Sequence, residues 1–245
     1  MTALRISSVM AQAALALALA SAVAALLAGP GYRMAWWPLG TGLQTMRWAA
    51  MVALGAAGLG LIAAVWAWHM HAYRSLGLAL AGLVIALAVA TPPIMLWQQA
   101  QQLPHLHDIS TDTDQPPAFV AVLPLRRNAR NPVEYDAATA AEQKRGYPDI
   151  VPVVLKMPPA LAFARAEQAA RAMGWDMVAA APQDLRIEAT DTTLLFGFKD
   201  DVVIRISPHA NGSRVDMRSL SRLGGSDFGT NAKRIRAFMQ RLAAP

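Results

Sequence analysis

An α-helical membrane half followed by an α+β domain is the fold class that this 245-residue sequence predicts, and three observations predict it. Charge is segregated: residues 1–100 contain no Asp or Glu and only Arg5, Arg33, Arg47 and Arg74, while all 16 acids and the other basic residues follow. Three uncharged apolar runs in that first part are each near the roughly 20 residues that a helix needs to cross the hydrocarbon core. The second part instead alternates strand-like and helix-like periodicities. The net charge of +6 owes more to the acid-free half than to any basic patch, so nucleic acid is not an expected partner. There is no Cys, which excludes disulfides, thiolate nucleophiles and Cys-ligated metals.

The predicted spans cover about residues 8–27, 48–68 and 76–97. Trp36, Trp37, Trp48, Trp66, Trp68, Tyr73 and Trp97 stand at their ends, where amphipathic rings favour the headgroup zone. The short basic start "MTALR" and the "ASA" near Ala20 would suit a cleaved signal peptide, but the apolar run continues to Leu27, which favours a retained span. Gly55, Gly58 and Gly60 are expected to let helices approach closely, and Pro92 and Pro93 to kink or end the third helix. From Gln98 to Leu125 there is no Lys or Arg, which points the C-terminal part outward and leaves the N-terminus in the cytoplasm.

Residues 101–150 read as a Pro-rich extended linker or wrap, because each Pro fixes its own φ and pushes its predecessor out of the α region. Residues 151–245 read as the α+β domain, with an antiparallel sheet of about four to five strands and two main helices. "PPALAFARAEQAARAMGW" is its first helix, with Leu161, Ala164, Ala169, Ala172 and Met173 expected on one face. "WDMVAAAP" and "DLRIEATDT" are strands, the second placing Arg186, Glu188 and Thr190 opposite Leu185, Ile187 and Ala189. "TLLFGF" and "VVIRISP" are expected to flank a hairpin whose exposed tip is "KDD", with Asp200 and Asp201. "SRVDMRSLSR" is the last strand, and a helix from about Phe228 to Leu242 closes the chain on Ala232, Ile235, Phe238, Met239 and Leu242.

Candidate chemistry is sparse. His105, His107 and Asp108 are what a metal would use, but no strong ligand spacing is present and the reading taken is no metal. There is no GxSxG elbow for a hydrolase and no phosphate-loop Lys-Ser/Thr. One sheet face would gather Arg186, Glu188, Arg205, Asp216 and Arg218, with Asp227 close by, and that set is the candidate site. Ser226 or Asp227 would cap the last helix, whose basic face (Lys233, Arg234, Arg236 and Arg241) could contact anionic lipid.

Several motifs carry a family resemblance: "HDISTDTDQPPAF", "YPDI", "MGW", "FGFKDDVVIR" and "GSRVDMRSLSRLGGSDFGTNAKRIRAF". Over about His107 to Leu242 the chain resembles the family named domain of unknown function 1499. With its three spans it resembles the longer, membrane-attached proteobacterial members. The resemblance implies no activity, cofactor or catalytic residue. The function expected is that of a membrane-anchored envelope protein whose domain, outside the cytoplasmic membrane, binds a lipid, an envelope component or a protein without catalysis. One alternative is an envelope enzyme acting on an anionic or lipid substrate through the charged face; another is a structural or assembly subunit. A charged face covered by a helix, with every ion paired, would sink the enzyme reading.

Overall fold

The computed structural model describes residues 2–244. The chain divides into two compact units, Met1–Gln99 with Leu195–Gly197, and Ala100–Leu194 with Phe198–Pro245.

The first unit is built from α1 (Thr2–Arg33), α2 (Leu39–His69) and α3 (Tyr73–Gln102, its last three residues falling in the second unit), each long and apolar enough to cross a membrane. At 1.5 Å per residue each measures about 45 Å. Their contacts are made by small residues: Ala18, Ala53, Ala56, Ala57, Ala86 and Ala90 form one buried cluster, and Ala11, Ala63, Ala64 and Ala79 another. Leu17, Leu26, Leu54, Ile62, Val65 and Val84 point outward. Small residues inside and branched ones outside suit helices that pack by close approach while facing lipid. The glycines that permit this are Gly60, beside the Ala79 carbonyl, and Gly82, against the Ala14–Leu15 backbone. Gly55 and Gly58, expected at such contacts, face open space. Pro92 and Pro93 do not end α3, which continues to Gln102.

The second unit contains β1 (Asp108–Ser110), α4 (Ala137–Gly146), β2 (Val153–Leu155), α5 (Pro159–Ala172), β3 (Asp176–Ala181), β4 (Arg186–Thr192), β5 (Lys199–His209), β6 (Gly212–Ser221) and α6 (Thr230–Ala243). The six strands form one antiparallel sheet in the order β1-β6-β5-β4-β3, with β2 also on β6. β1 and β2 pair with different halves of β6, at Leu220 and Val215 respectively. The Pro-rich stretch therefore contributes a strand and a helix as well as extended chain.

α5 and α6 cover one sheet face. The core there unites Phe163, Trp175, Ile187, Ile204, Met217, Ile235 and Phe238, with the Trp175 and Phe238 rings stacked at 5.7 Å. The α6 stripe read from the sequence is buried throughout. The α5 stripe is displaced: Ala162, Phe163, Ala166, Ala169 and Ala170 are buried, while Leu161, Ala164 and Ala172 are exposed. Phe163, as the large residue that enters the core, sets the helix rotation.

A further correction concerns "KDD". Asp200 and Asp201 do not form a tip. Both lie inside β5, 3% and 0% exposed, and the turn falls earlier, where Phe198 donates its N–H to the Thr193 hydroxyl and accepts the Thr193 N–H. The apolar "TLLFGF" is largely turn. α6 also starts two residues later than expected, after Gly229 in a left-handed conformation at φ 77°.

Candidate functional site on the charged sheet face

The sheet face opposite α5 and α6 carries the charge. In register across β4, β5 and β6 stand Arg186, Arg205 and Asp216, then Glu188, Val203 and Arg218, then Thr190, Asp201 and Leu220. The alternation read from the sequence thus brings five of the six candidate residues to one surface. Asp227 is elsewhere, at the start of α6.

Residues 111–135 cross that surface as a roof, under which Glu188, Asp216 and Arg218 are buried while Arg186 and Arg205 stay partly exposed at its margin. Phe119 and Val122 seat against Val203 and Leu220, forming a second small core. Around it, polar groups fasten roof to sheet. The Glu188 carboxylate accepts the consecutive N–H groups of Val120, Ala121 and Val122 at 3.0–3.1 Å, and the Arg186 Nε at 2.9 Å. These donors lead into a short 3₁₀ turn, Leu123–Arg126. A carboxylate facing several unpaired N–H groups at a helical start satisfies them as an N-cap would.

Arg218 binds Asp108 through Nε at 3.0 Å and Nη2 at 2.6 Å, and donates to the Val133 carbonyl at 2.6 Å. Its guanidinium lies over the Phe119 and Tyr135 rings, at 5.1 and 5.4 Å. Burial raises the Asp108 carboxyl above its ordinary value, against the opposing pull of Arg218. Burial, reinforced by the Asp108 charge, raises the Tyr135 phenol. Asp216 receives Arg205 at 3.1 Å and Arg214 at 2.9 Å, and both arginines also reach Asp112. For Asp112 burial pushes upward, but the N–H groups of Gln115 and Asp114 with Arg214 and Arg205 hold it below the ordinary value.

Asp201 is the third fastening. It binds Arg126 from the roof, Arg222 at 2.8 and 2.9 Å, and the Thr190 hydroxyl at 2.7 Å. Burial pushes its carboxyl up, yet the bonds from Arg222, Thr190 and Arg126 outweigh that and leave it lowered. At the sheet edge, buried Gln143 of α4 accepts the Ser110 N–H at 2.8 Å and donates to the Ser110 carbonyl at 2.6 Å. Its amide thereby takes the place of a further strand beside β1.

The basic face expected on α6 lacks one of its four members: Lys233 and Arg241 are exposed and Arg236 is half-buried, but Arg234 is buried beneath the helix. It binds Asp191 at 2.8 Å, Asp200 at 2.7 Å and the Ser219 hydroxyl at 3.0 Å, with Asn231 alongside. Arg236 forks onto Asp149 at 2.6 and 2.8 Å, and Arg241 donates to the Ala172 carbonyl at 2.8 Å. Only Lys233 of the four is exposed with no pairing shown. Asp227 does act as a cap, accepting the Gly229 and Asn231 N–H groups at 2.8 and 2.7 Å. Burial nevertheless raises its carboxyl.

Of the metal candidates, Asp108 has both carboxylate oxygens taken by Arg218, while His105 and His107 are fastened through their backbone: the His105 backbone N–H donates to Glu142, and the His107 carbonyl accepts from Ser221 and Asn231. Among the described residues no group of three or more His, Asp or Glu could hold a metal ion. Sequence reading missed Arg126, Asp200, Asp201, Asp112 and Gln143. The one visible signal was the alternation of Arg214, Asp216 and Arg218, which declares a charged strand face but not its partners, some of them more than 100 positions away.

Residues 108–242 match the family described as "Protein of unknown function (DUF1499)". No curated protein and no solved structure matches the chain.

Proposed function

We propose that this chain, which belongs to the DUF1499 family, is a multi-pass protein of the bacterial cytoplasmic membrane whose C-terminal domain is a non-catalytic binding module of the cell envelope. In this reading the N-terminus is cytoplasmic and the domain lies outside. Residues 1–100 are the membrane domain, 101–150 the wrap and 151–245 the body. One observation carries the non-catalytic reading: the carboxylates that an enzyme would need at the sheet face, Asp108, Glu188, Asp201 and Asp216, are each paired with an arginine and buried under the roof. General acid–base work requires a group within reach of a substrate, and these groups reach only neighbouring side chains and the roof's backbone.

The concave surface that supports binding is a groove of about 540 Å³ between α5 and α6. Ala164, Ala169, Ala172 and Ala244 make an apolar lining, and Arg165, Gln168 and Arg241 supply polar groups. An apolar lining with two cations fits an amphiphile with an anionic head, the chemistry of a membrane lipid. Native mass spectrometry of the detergent-extracted full chain tests this. The expected result is a co-purified species of lipid mass that Arg165→Glu with Arg241→Glu abolishes. Its absence from the wild type, or its persistence in the variant, rejects the groove. A periplasm-active reporter fused after the C-terminus tests the orientation, and activity of a cytoplasm-specific reporter there rejects it.

A further inference from the structure

The outer surface of the roof has a composition that its structural role does not require. Residues 118–133 contain no Asp or Glu. Within them Leu123 and Leu125 are 42% and 53% exposed, and Pro124, Arg127 and Arg130 are exposed beside them. This exposure is imposed by a fixed backbone. Val122 and Arg126 are buried as the underside, Glu188 holds the preceding three N–H groups, and the Leu125 carbonyl accepts from Arg222 at 3.0 Å. With Val122 and Arg126 pointing in, Leu123 and Leu125 are held out.

Phe228 repeats the pattern. It is 51% exposed and sits at φ 52°, a conformation that bulky side chains rarely adopt. Backbone strain of this kind persists where the surroundings enforce it, and it concentrates at functional positions. Hydrogen bonds place Phe228 and the Leu123–Arg130 loop at one end of the sheet. Asn131 donates to the carbonyls of Ser221 and Gly224, and the Arg130 N–H donates to the Arg222 carbonyl. At that same end the chain arrives from α3: the Leu106 carbonyl accepts the Asp227 N–H, and the His107 carbonyl accepts the Ser221 N–H.

We propose that Leu123, Leu125 and Phe228, flanked by Arg127 and Arg130, form a membrane-surface contact that enters the headgroup layer of an anionic bilayer. Apolar side chains beside arginines, with no acid among residues 118–133, match that layer in both polarity and sign. The proposal rests on the membrane reading of α1–α3. Only Leu103–His107 separate α3 from β1, a tether of at most about 18 Å at full extension. So short a tether gives the loop a high effective concentration at the bilayer, and a weak intrinsic affinity is enough.

The absence of Cys makes the test clean. Leu123→Cys, Leu125→Cys and Phe228→Cys are labelled singly with a fluorophore in the full chain, with Leu161→Cys and Val154→Cys as exposed controls elsewhere on the domain. Each is reconstituted into nanodiscs containing phosphatidylglycerol and a lipid-borne quencher. The three test positions are expected to be quenched about twofold or more beyond the controls, and Arg127→Glu with Arg130→Glu to remove that excess. Quenching equal to the controls overturns the proposal, as does shielding from lipid and aqueous quenchers alike, which would indicate a protein partner. Alkaline carbonate extraction separates the two layers of the argument. A chain released by carbonate refutes the spans, whereas a retained chain with unquenched labels refutes the loop contact alone.

Discussion

Replacing Asp201 by Asn probes whether charge fastens the roof. In the wild type one fully buried carboxylate serves two guanidinium groups, Arg126 with its side chain 3% exposed and Arg222 at 15%. Removing one partner of a buried ion pair costs about 3–5 kcal/mol, because the remaining charge stays desolvated. Asn keeps one oxygen that Thr190 or an arginine can use, which places the expected loss near the low end, about 3 kcal/mol. For a unit of this size about 1 kcal/mol corresponds to about 2–4 °C, so the melting temperature should fall by about 6–12 °C. The assay is thermal unfolding of the detergent-solubilised chain at neutral pH, followed by trypsin cleavage within residues 111–135.

The acid limb gives the second readout. Because the folded carboxyl is lowered from its ordinary 3.8, the stability it contributes is fully present above that value and is lost as pH falls through the folded value. The variant lacks this contribution at every pH, so the gap between the two proteins should narrow below about pH 4. A melting temperature within about 2 °C of wild type at neutral pH would refute the role given to this cluster.

Two further outcomes are expected. Arg234→Lys cannot fork onto Asp191 and Asp200 while also reaching Ser219, and should cost about 2–3 kcal/mol by the same melting assay, whereas Lys233→Ala next to it should cost under about 0.5 kcal/mol; equal effects would return Arg234 to the exposed basic face. Gly82→Leu forces a side chain into the Ala14–Leu15 backbone, where a Cβ already comes within 2.9–3.1 Å, and should cost about 1–3 kcal/mol in thermal aggregation of the purified chain, with Gly55→Leu neutral because nothing lies within 4 Å of it.

The three long apolar helices were legible because their signal is additive: uncharged length, with aromatic residues at the ends of the apolar runs. Strand β6 and helix α6 were legible because alternation and a 3.6-residue stripe survive any tertiary context. Asp200 and Asp201 misled for a physical reason. Two adjacent acids in a strand must face opposite sides of the sheet, and burial of both is affordable only with partners on both sides. Arg234 supplies one side from α6, and Arg126 and Arg222 supply the other. Local sequence contains no trace of those arrangements, so turn chemistry was the natural reading. The same holds for the Pro-rich stretch, whose irregular backbone takes its order from Glu188, Asp201 and Arg218 beneath it rather than from its own periodicity. Alternation was enough to place Arg186, Glu188, Arg205, Asp216 and Arg218 on one sheet face, while the burial that decides what they can do leaves no local trace.

The position of β1 has a mechanical consequence. It is a three-residue strand, the first element after α3, and it is held by pairing with β6. Any pull on the domain from the side of α3 enters the fold through Leu103–His107 and reaches Asp108 first. There the force meets two parallel Arg218 bonds directed into the centre of the sheet, and two residues later the Gln143 amide grips Ser110. Tension is thus delivered to β6, which is flanked along its length by β1, β2 and β5, and not to a free edge. The domain is anchored like a rope spliced into the middle of a fabric, where load spreads across threads before any one of them can be drawn out.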